Sequence, residues 1–231
     1  QEVADKYKFK EGMTETNRKY AAMVESIDDC MRDMLAELKK HGIDDNTLII
    51  FTSDNGGLDR NGGPTENAPL RSGKGYCYEG GIRVPFLARW PAKIPAGKKS
   101  DFPVSSIDLF PTIMEATGTE LPKDRPIDGL SLTKHLNSGG KKSPKRETLI
   151  WHFPHYRHAP GPYSIIRKGD FKLIKFWEGI YELYDLKNDL GEANNLAESK
   201  PGLVKKLESE LIARLKADGA KLPRKNPEFK N

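Results

Sequence analysis

Thr47-Leu48-Ile49-Ile50-Phe51-Thr52-Ser53-Asp54-Asn55-Gly56-Gly57 is the stretch that decides the fold. Leu48 to Thr52 is an unbroken apolar and β-branched run, which favours a pleated strand. It lacks the alternation of a half-exposed strand, so the expectation is a central strand covered on both faces. The run stops on an acid, an amide and two glycines. In α/β folds the carboxyl ends of strands carry the ligand-binding groups. Asp54 and Asn55 offer oxygen at that end, while Gly56 and Gly57 permit a sharp turn and a close approach by another group.

Upstream, apolar residues recur at Tyr20, Met23/Val24, Ile27, Cys30/Met31, Met34/Leu35 and Leu38, a helical stripe over Thr14–His41. Lys39, Lys40 and His41 suit its negative end, and Gly42 is placed to terminate it. Residues 1–13 read as irregular. Helix followed by buried strand is half of a doubly wound unit, so a partial parallel-type sheet with flanking helices is expected.

Downstream, residues 56–81 hold eight glycines and no periodicity. A loop that long inside a domain is usually functional. Ile82–Trp90 reads as a strand, made irregular by Pro85. Ser105 or Ser106 is expected to cap a short helix that turns Ile107, Leu109, Phe110, Ile113 and Met114 inward and ends at Gly118. The Gly/Ser/Lys-rich stretch 137–146 is a link. The expected domains are therefore 1–140 and 141–231. Beyond the link, Thr148–Phe153, Tyr163–Arg167, Phe171–Phe176 and Ile180–Asp185 read as four short antiparallel strands, with hairpin turns at Lys168-Gly169-Asp170 and Trp177-Glu178-Gly179. A terminal helix from about Pro201 to Asp218, capped by Ser199, lays Leu203/Val204, Leu207, Leu211/Ile212 and Leu215 on that small sheet.

The chain has 231 residues, 36% of them apolar and 31% charged, enough to bury a core. Its net charge of +5 is spread over tails and turns, so neither a nucleic-acid nor a membrane partner is expected. Two cysteines are too few for a disulfide framework, and Cys30 is read as a buried thiol. Gln1-Glu2-Val3 carries no initiator Met, so the numbering is expected to start inside a longer protein.

Three blocks in order, Phe51–Gly57, Leu70-Arg71-Ser72-Gly73-Lys74-Gly75 and Tyr78-Glu79-Gly80-Gly81-Ile82-Arg83-Val84-Pro85, closely resemble the second half of the type I, formylglycine-dependent sulfatases of the alkaline-phosphatase superfamily. Ile107-Asp108-Leu109-Phe110-Pro111-Thr112, Asp128-Gly129-Leu130-Ser131-Leu132 and Glu182-Leu183-Tyr184-Asp185-Leu186 with Glu192–Leu196 continue the likeness. The resemblance implies an α/β fold: a partial alkaline-phosphatase-like sheet with helices, then a small four-stranded antiparallel sheet with a terminal helix. It implies hydrolysis of sulfate esters on a sulfated sugar or aryl compound, in the periplasm or outside the cell. A phosphoester or phosphonate hydrolase of the same superfamily is the runner-up, and a non-catalytic sulfatase-like binding protein is the reading from another class.

The family's nucleophile arises in a Cys/Ser-x-Pro-x-Arg motif, and neither Cys30 nor Cys77 stands in one. The resemblance thus implies a C-terminal fragment, inert alone, whose formylglycine lies in the N-terminal half. That half is an expected partner, and self-association through the fragment's exposed face is another. Asp54 and Asn55 match the family's metal ligands, with Ca²⁺ expected and Mg²⁺ as the alternative; from the dipeptide alone an Asx turn is the favoured reading. Lys74 matches the lysine that contacts a sulfate oxygen, a catalytic and substrate-binding role suited to a point charge. Arg71, Glu79 and Arg83 read as ion pairs within the loop. Among Trp151–His158, His155 is the candidate for substrate selection, whereas His135 reads as structural.

Overall fold

The computed structural model describes residues 2–7, 12–59, 63–157 and 161–224. In chain order the helices are α1 (Glu2–Asp5), α2 (Glu15–Lys40), α3 (Glu79–Ile82), α4 (Leu109–Thr117), α5 (Thr133–Asn137) and α6 (Pro201–Ala217). The strands are β1 (Ile49–Thr52), β2 (Phe86–Arg89), β3 (Leu149–Phe153), β4 (Tyr163–Lys168), β5 (Phe171–Phe176) and β6 (Tyr181–Asp185). They fall into two compact units interleaved in sequence. The first holds α1, α2, β1, β2, α4 and α5; the second holds the loop that begins at Asp54, Thr65–Val84 with α3, and everything from β3 onward. Dividing the chain at 140/141 does not make this grouping. Among the described residues no helix is long and apolar enough to cross a membrane.

In the first unit, Thr14 caps α2 by accepting from the Asn17 N–H at 3.1 Å, and Gly42 leaves it with φ +68°. The chain before α2 is not wholly irregular, since Glu2–Asp5 makes a helical turn. The apolar stripe of α2 is open: none of its residues is buried, Met23, Val24 and Ile27 are each more than half exposed, and the Cys30 thiol is exposed rather than buried. The expected buried strand of a parallel-type sheet is also corrected. β1 pairs antiparallel with β2, Ile49 opposite Arg89 and Thr52 opposite Phe86, in a two-stranded sheet. Phe51 and Leu87 remain exposed, because two strands cannot cover their own faces. The strand expected from Ile82 begins only at Phe86, since Glu79–Ile82 closes a helical turn instead. Arg89 grips Asp44 through two hydrogen bonds of 2.7 and 2.8 Å, and this guanidinium holds the Asp44 carboxyl below the usual range.

α4 ends at Gly118 in the left-handed region, φ +71°, as its sequence predicts. Its face is reversed from the expectation: Ile107, Phe110 and Ile113 are exposed, and Asp108, Pro111 and Thr112 are buried. The polar residues go inward because Asp108 is a staple. Its carboxylate accepts from the Ser105 N–H at 2.8 Å, the Leu130 N–H at 2.9 Å and the Arg146 guanidinium at 2.5 Å. Thr112 extends the staple, donating to the Asp108 carbonyl at 2.6 Å and accepting from the Leu132 N–H at 2.9 Å.

The second unit is built on the sheet β3-β4-β5-β6, antiparallel throughout. Gly169 and Gly179, both at positive φ, make the two hairpin turns. Alternation sends Ile166, Leu173 and Leu183 to one face, where Leu207, Leu211 and Leu215 of α6 cover them. The spacing of four puts those leucines on one stripe, and burying each stabilises by roughly 1.5–3 kcal/mol. The helix begins at an N-cap Lys200 with no side-chain cap, not at Ser199, with Pro201 preorganising its first turn. Ile165, Ile174, Phe176 and Tyr184 point to the other face, against Cys77 and Tyr78 of the glycine-rich segment.

Candidate functional site

Glycine is what brings the two site-bearing segments together. The Gly56 N–H donates to the Gly81 carbonyl at 3.0 Å, and the Lys74 N–H donates to the Gly57 carbonyl at 2.9 Å. Asn67 spends both amide protons on the same junction, donating to Gly57 O at 3.0 Å and Ser72 O at 2.9 Å. A Cβ on Gly56 would lie 1.7 Å from the Gly80 oxygen, and one on Gly73 would lie 2.3 Å from the Gly57 oxygen. The backbones therefore meet at a distance only glycine allows. Asp54-Asn55 and Lys74 are carried on strands of chain laced to one another within one unit.

The Asp54 side chain is exposed and has no hydrogen-bond or ion-pair partner among the described residues, and the Lys74 ammonium is likewise exposed and unpartnered among them. Asn55 is half-buried. A carboxylate followed by an amide offers two hard oxygen donors, a set that fits a hard divalent cation. Two oxygens would make up only part of a coordination shell, since such cations take about 6–8. Among the described residues no group of three or more His, Cys, Asp or Glu gathers to hold a metal.

Beside Lys74, residues Gly75, Tyr76 and Cys77 meet Phe153, Tyr163 and Phe176 around a shallow apolar depression. Phe153 stacks on Tyr163 with ring centroids 5.4 Å apart, and His155 stands edge-on to Phe153 at 5.0 Å. His155 is exposed at the end of β3, in the same unit as Lys74. His152 instead bonds Ser164 Oγ at 2.7 Å and the Lys221 carbonyl at 2.9 Å, and His158 lies outside the described residues. His135 is buried in the first unit, 3.0 Å from Ser143 Oγ, in keeping with a structural role. Burial pushes the Cys77 thiol up to about 12, which keeps it protonated and no nucleophile.

The residues behind the loop were not legible in the sequence. Lys172 on β5 is fully buried, its ammonium 3.0 Å from Glu79 Oε1 and 2.8 Å from Glu192 Oε1. Glu192 holds φ +52°, and its other oxygen accepts the Glu79 N–H at 2.6 Å. Burial raises the Glu192 pKa against the opposing pull of Lys172. Arg71 donates to Tyr184 Oη at 2.8 Å and to the Glu192 carbonyl at 3.1 Å, and lies 3.7 Å from the Tyr78 ring centre. The ion pairs expected within the loop thus run mainly to the sheet, Arg71 to Glu182 and Glu79 to Lys172; among the described residues Glu79–Arg83, at 3.7 Å, is the internal one. β5 carries two lysines, Lys172 and Lys175, and nothing in its sequence marks Lys172 as the buried one.

The sulfatase family model matches residues 1–119, and that of the C-terminal part of N-sulphoglucosamine sulphohydrolase matches residues 72–220. A sulfatase of Formosa agariphila is 38% identical over 216 residues, covering 85% of this chain and 38% of that protein. The crystal structure of Ps i-CgsB in complex with k-i-k-neocarrahexaose aligns with a TM-score of 0.80 at 31% identity, covering 92% of this chain and 46% of that one. A structure in complex with its substrate D-glucosamine-2-N,6-O-disulfate aligns with a TM-score of 0.69 at 30% identity, covering 86% of this chain and 40% of that one. The chain spans less than half the length of each of these relatives. Two sulfatase models between them cover residues 1–220, and the fold is that of solved enzymes with the alkaline-phosphatase-like architecture: the chain belongs to the sulfatase family.

Proposed function

We propose that the complete protein hydrolyses sulfate esters of a sulfated sugar. The observation that supports this most directly is the lacing of Gly56 to Gly81 and of Lys74 to Gly57, which holds an acid–amide pair and a lysine on one glycine-built platform. Asp54 and Asn55 are two oxygen ligands of a calcium ion, or of magnesium in its place. Lys74 sets its ammonium against a sulfuryl oxygen, where a positive charge stabilises the charge that develops in transfer. His155, beside the Phe153–Tyr163 stack, contacts the sugar and helps to select it. The metal would neutralise the sulfuryl oxygens, and a formylglycine from outside this chain would supply the attacking oxygen. The site works outside the cytoplasm, periplasmic or secreted.

In the full-length protein, Asp54→Ala is expected to abolish Ca²⁺ binding in titration calorimetry and sulfate release from a sulfated monosaccharide. Near-normal binding and turnover would remove Asp54 from the metal. Paired sulfate and phosphate esters test the reaction class: preferential turnover of the phosphate ester would move the protein to the phosphoester hydrolases.

A further inference from the structure

We propose that Lys172 is a positioning residue for Lys74, acting through the buried Glu79–Lys172–Glu192 cluster; this rests on the sulfatase reading above. Three observations lead to it. First, the cluster is closed to water: Lys172 is 0% exposed, Glu192 1% and Glu79 3%. A buried charge is tolerated only when paired, so these three side chains have few alternative arrangements. Second, the cluster joins separate pieces of the second unit. Lys172 comes from the central strand β5, Glu192 from the turn after β6, and Glu79 from the start of α3. Third, α3 is the far end of the segment that carries Lys74. The Gly80 N–H donates to the Arg71 carbonyl at 2.9 Å, the Gly81 N–H to the Tyr78 carbonyl at 2.8 Å and the Tyr76 N–H to the Gly73 carbonyl at 3.1 Å. With Arg71 fastened to Tyr184 and the Glu192 carbonyl, the segment 71–83 is pinned at both ends to the sheet. Lys74 sits between the pins, its own N–H on Gly57.

The cluster carries two carboxylates and one ammonium, with Arg83 3.7 Å from Glu79 as the second cation. Removing the ammonium leaves two acids facing one another in a site that excludes water. They separate or take up a proton, and either relaxation frees the start of α3 from Glu192. The register of Lys74 against Gly57, and so against Asp54-Asn55, then depends on the glycine contacts, Asn67 and the Arg71 pin.

The test uses the full-length protein with Lys172→Met and, as a variant that keeps side-chain size but removes the carboxylate charge paired with Lys172, Glu192→Gln. Hydrogen exchange is expected to rise at residues 71–83, and at the Lys74, Gly80 and Gly81 amides above all, while β3–β6 and α6 keep their protection. Exchange rising evenly over the sheet and α6, or unchanged at 71–83 in both variants, overturns the inference. Kinetically, Lys172→Met is expected to lower kcat on a sulfate ester by about 100-fold, the scale of a small misplacement, with little change in KM. In a Lys74→Ala background the same change is expected to cost almost nothing further, because the two act as one unit. Full, multiplicative penalties in the double variant overturn the inference and leave the sulfatase reading intact. A wild-type protein that turns over no sulfate ester defeats the sulfatase reading, and the exchange pattern still decides the clamp.

Discussion

Asp108 shows how much one side chain can carry. Its carboxylate is wholly buried and serves three donors, of which Arg146 is itself only 6% exposed. Asp108→Ala would leave a buried guanidinium unpaired and two backbone N–H groups unserved. We expect a loss of about 3–5 kcal/mol, the cost of breaking a buried pair from one side, read from urea unfolding of the first unit. A loss below about 1 kcal/mol, the size of an exposed pair, contradicts the staple. Arg125–Asp124, at a similar length but two-thirds exposed, carries no such expectation. The landmark around Asp108 is plain in the sequence, but its purpose is not. An acid between apolar residues reads as a surface break in a helix, and only the arrival of Arg146 and Leu130 from later in the chain explains why it turns inward and leaves Ile107 and Phe110 outside.

At the scale of elements, α3 is a single turn whose sequence, Glu79-Gly80-Gly81-Ile82, has no helix-forming strength of its own. It exists because backbone passes on both sides. A Cβ on Gly80 would lie 2.0 Å from the Ser72 oxygen and 2.5 Å from the Arg71 oxygen. Gly80→Ala is therefore expected to push the Lys74 segment off its seat and lower turnover of the full-length protein by about 100-fold. Gly202→Ala in α6, where a Cβ meets nothing within 4 Å, is expected to leave turnover unchanged. Equal turnover in the two variants, measured side by side, would contradict the close-approach argument. The four strands of the small sheet and α6 were readable in advance, since each buries a face at its own period, two or about 3.6. α3 and the late start of β2 were not, because glycine has no side chain with which to announce a period.

For the molecule as a whole, the open faces are the salient feature. Met23, Val24, Ile27 and Met34 of α2 and Ile107, Phe110 and Ile113 around α4 stand exposed, far more apolar surface than scattered single residues explain. We assign their cover to sulfatase sequence outside this chain, which spans less than half the length of its relatives. The 231-residue chain alone is then expected to self-associate in sedimentation velocity, and Ile27→Asp with Ile113→Asp to return it toward monomer. A monodisperse wild-type monomer would sink that assignment. By itself the sequence determined the family and the meander with its helix, because those depend on residue type, spacing and local period; Asp54, Asn55 and Lys74 it offered as candidates through the family resemblance. Tertiary structure alone decided that the glycine-rich segment packs on the small sheet, that α2 and α4 keep their apolar faces open, and that Lys172 is buried between Glu79 and Glu192. The physical reason is the same in each case: burial depends on which distant part of the chain arrives to share it, and a local pattern carries no record of the partner.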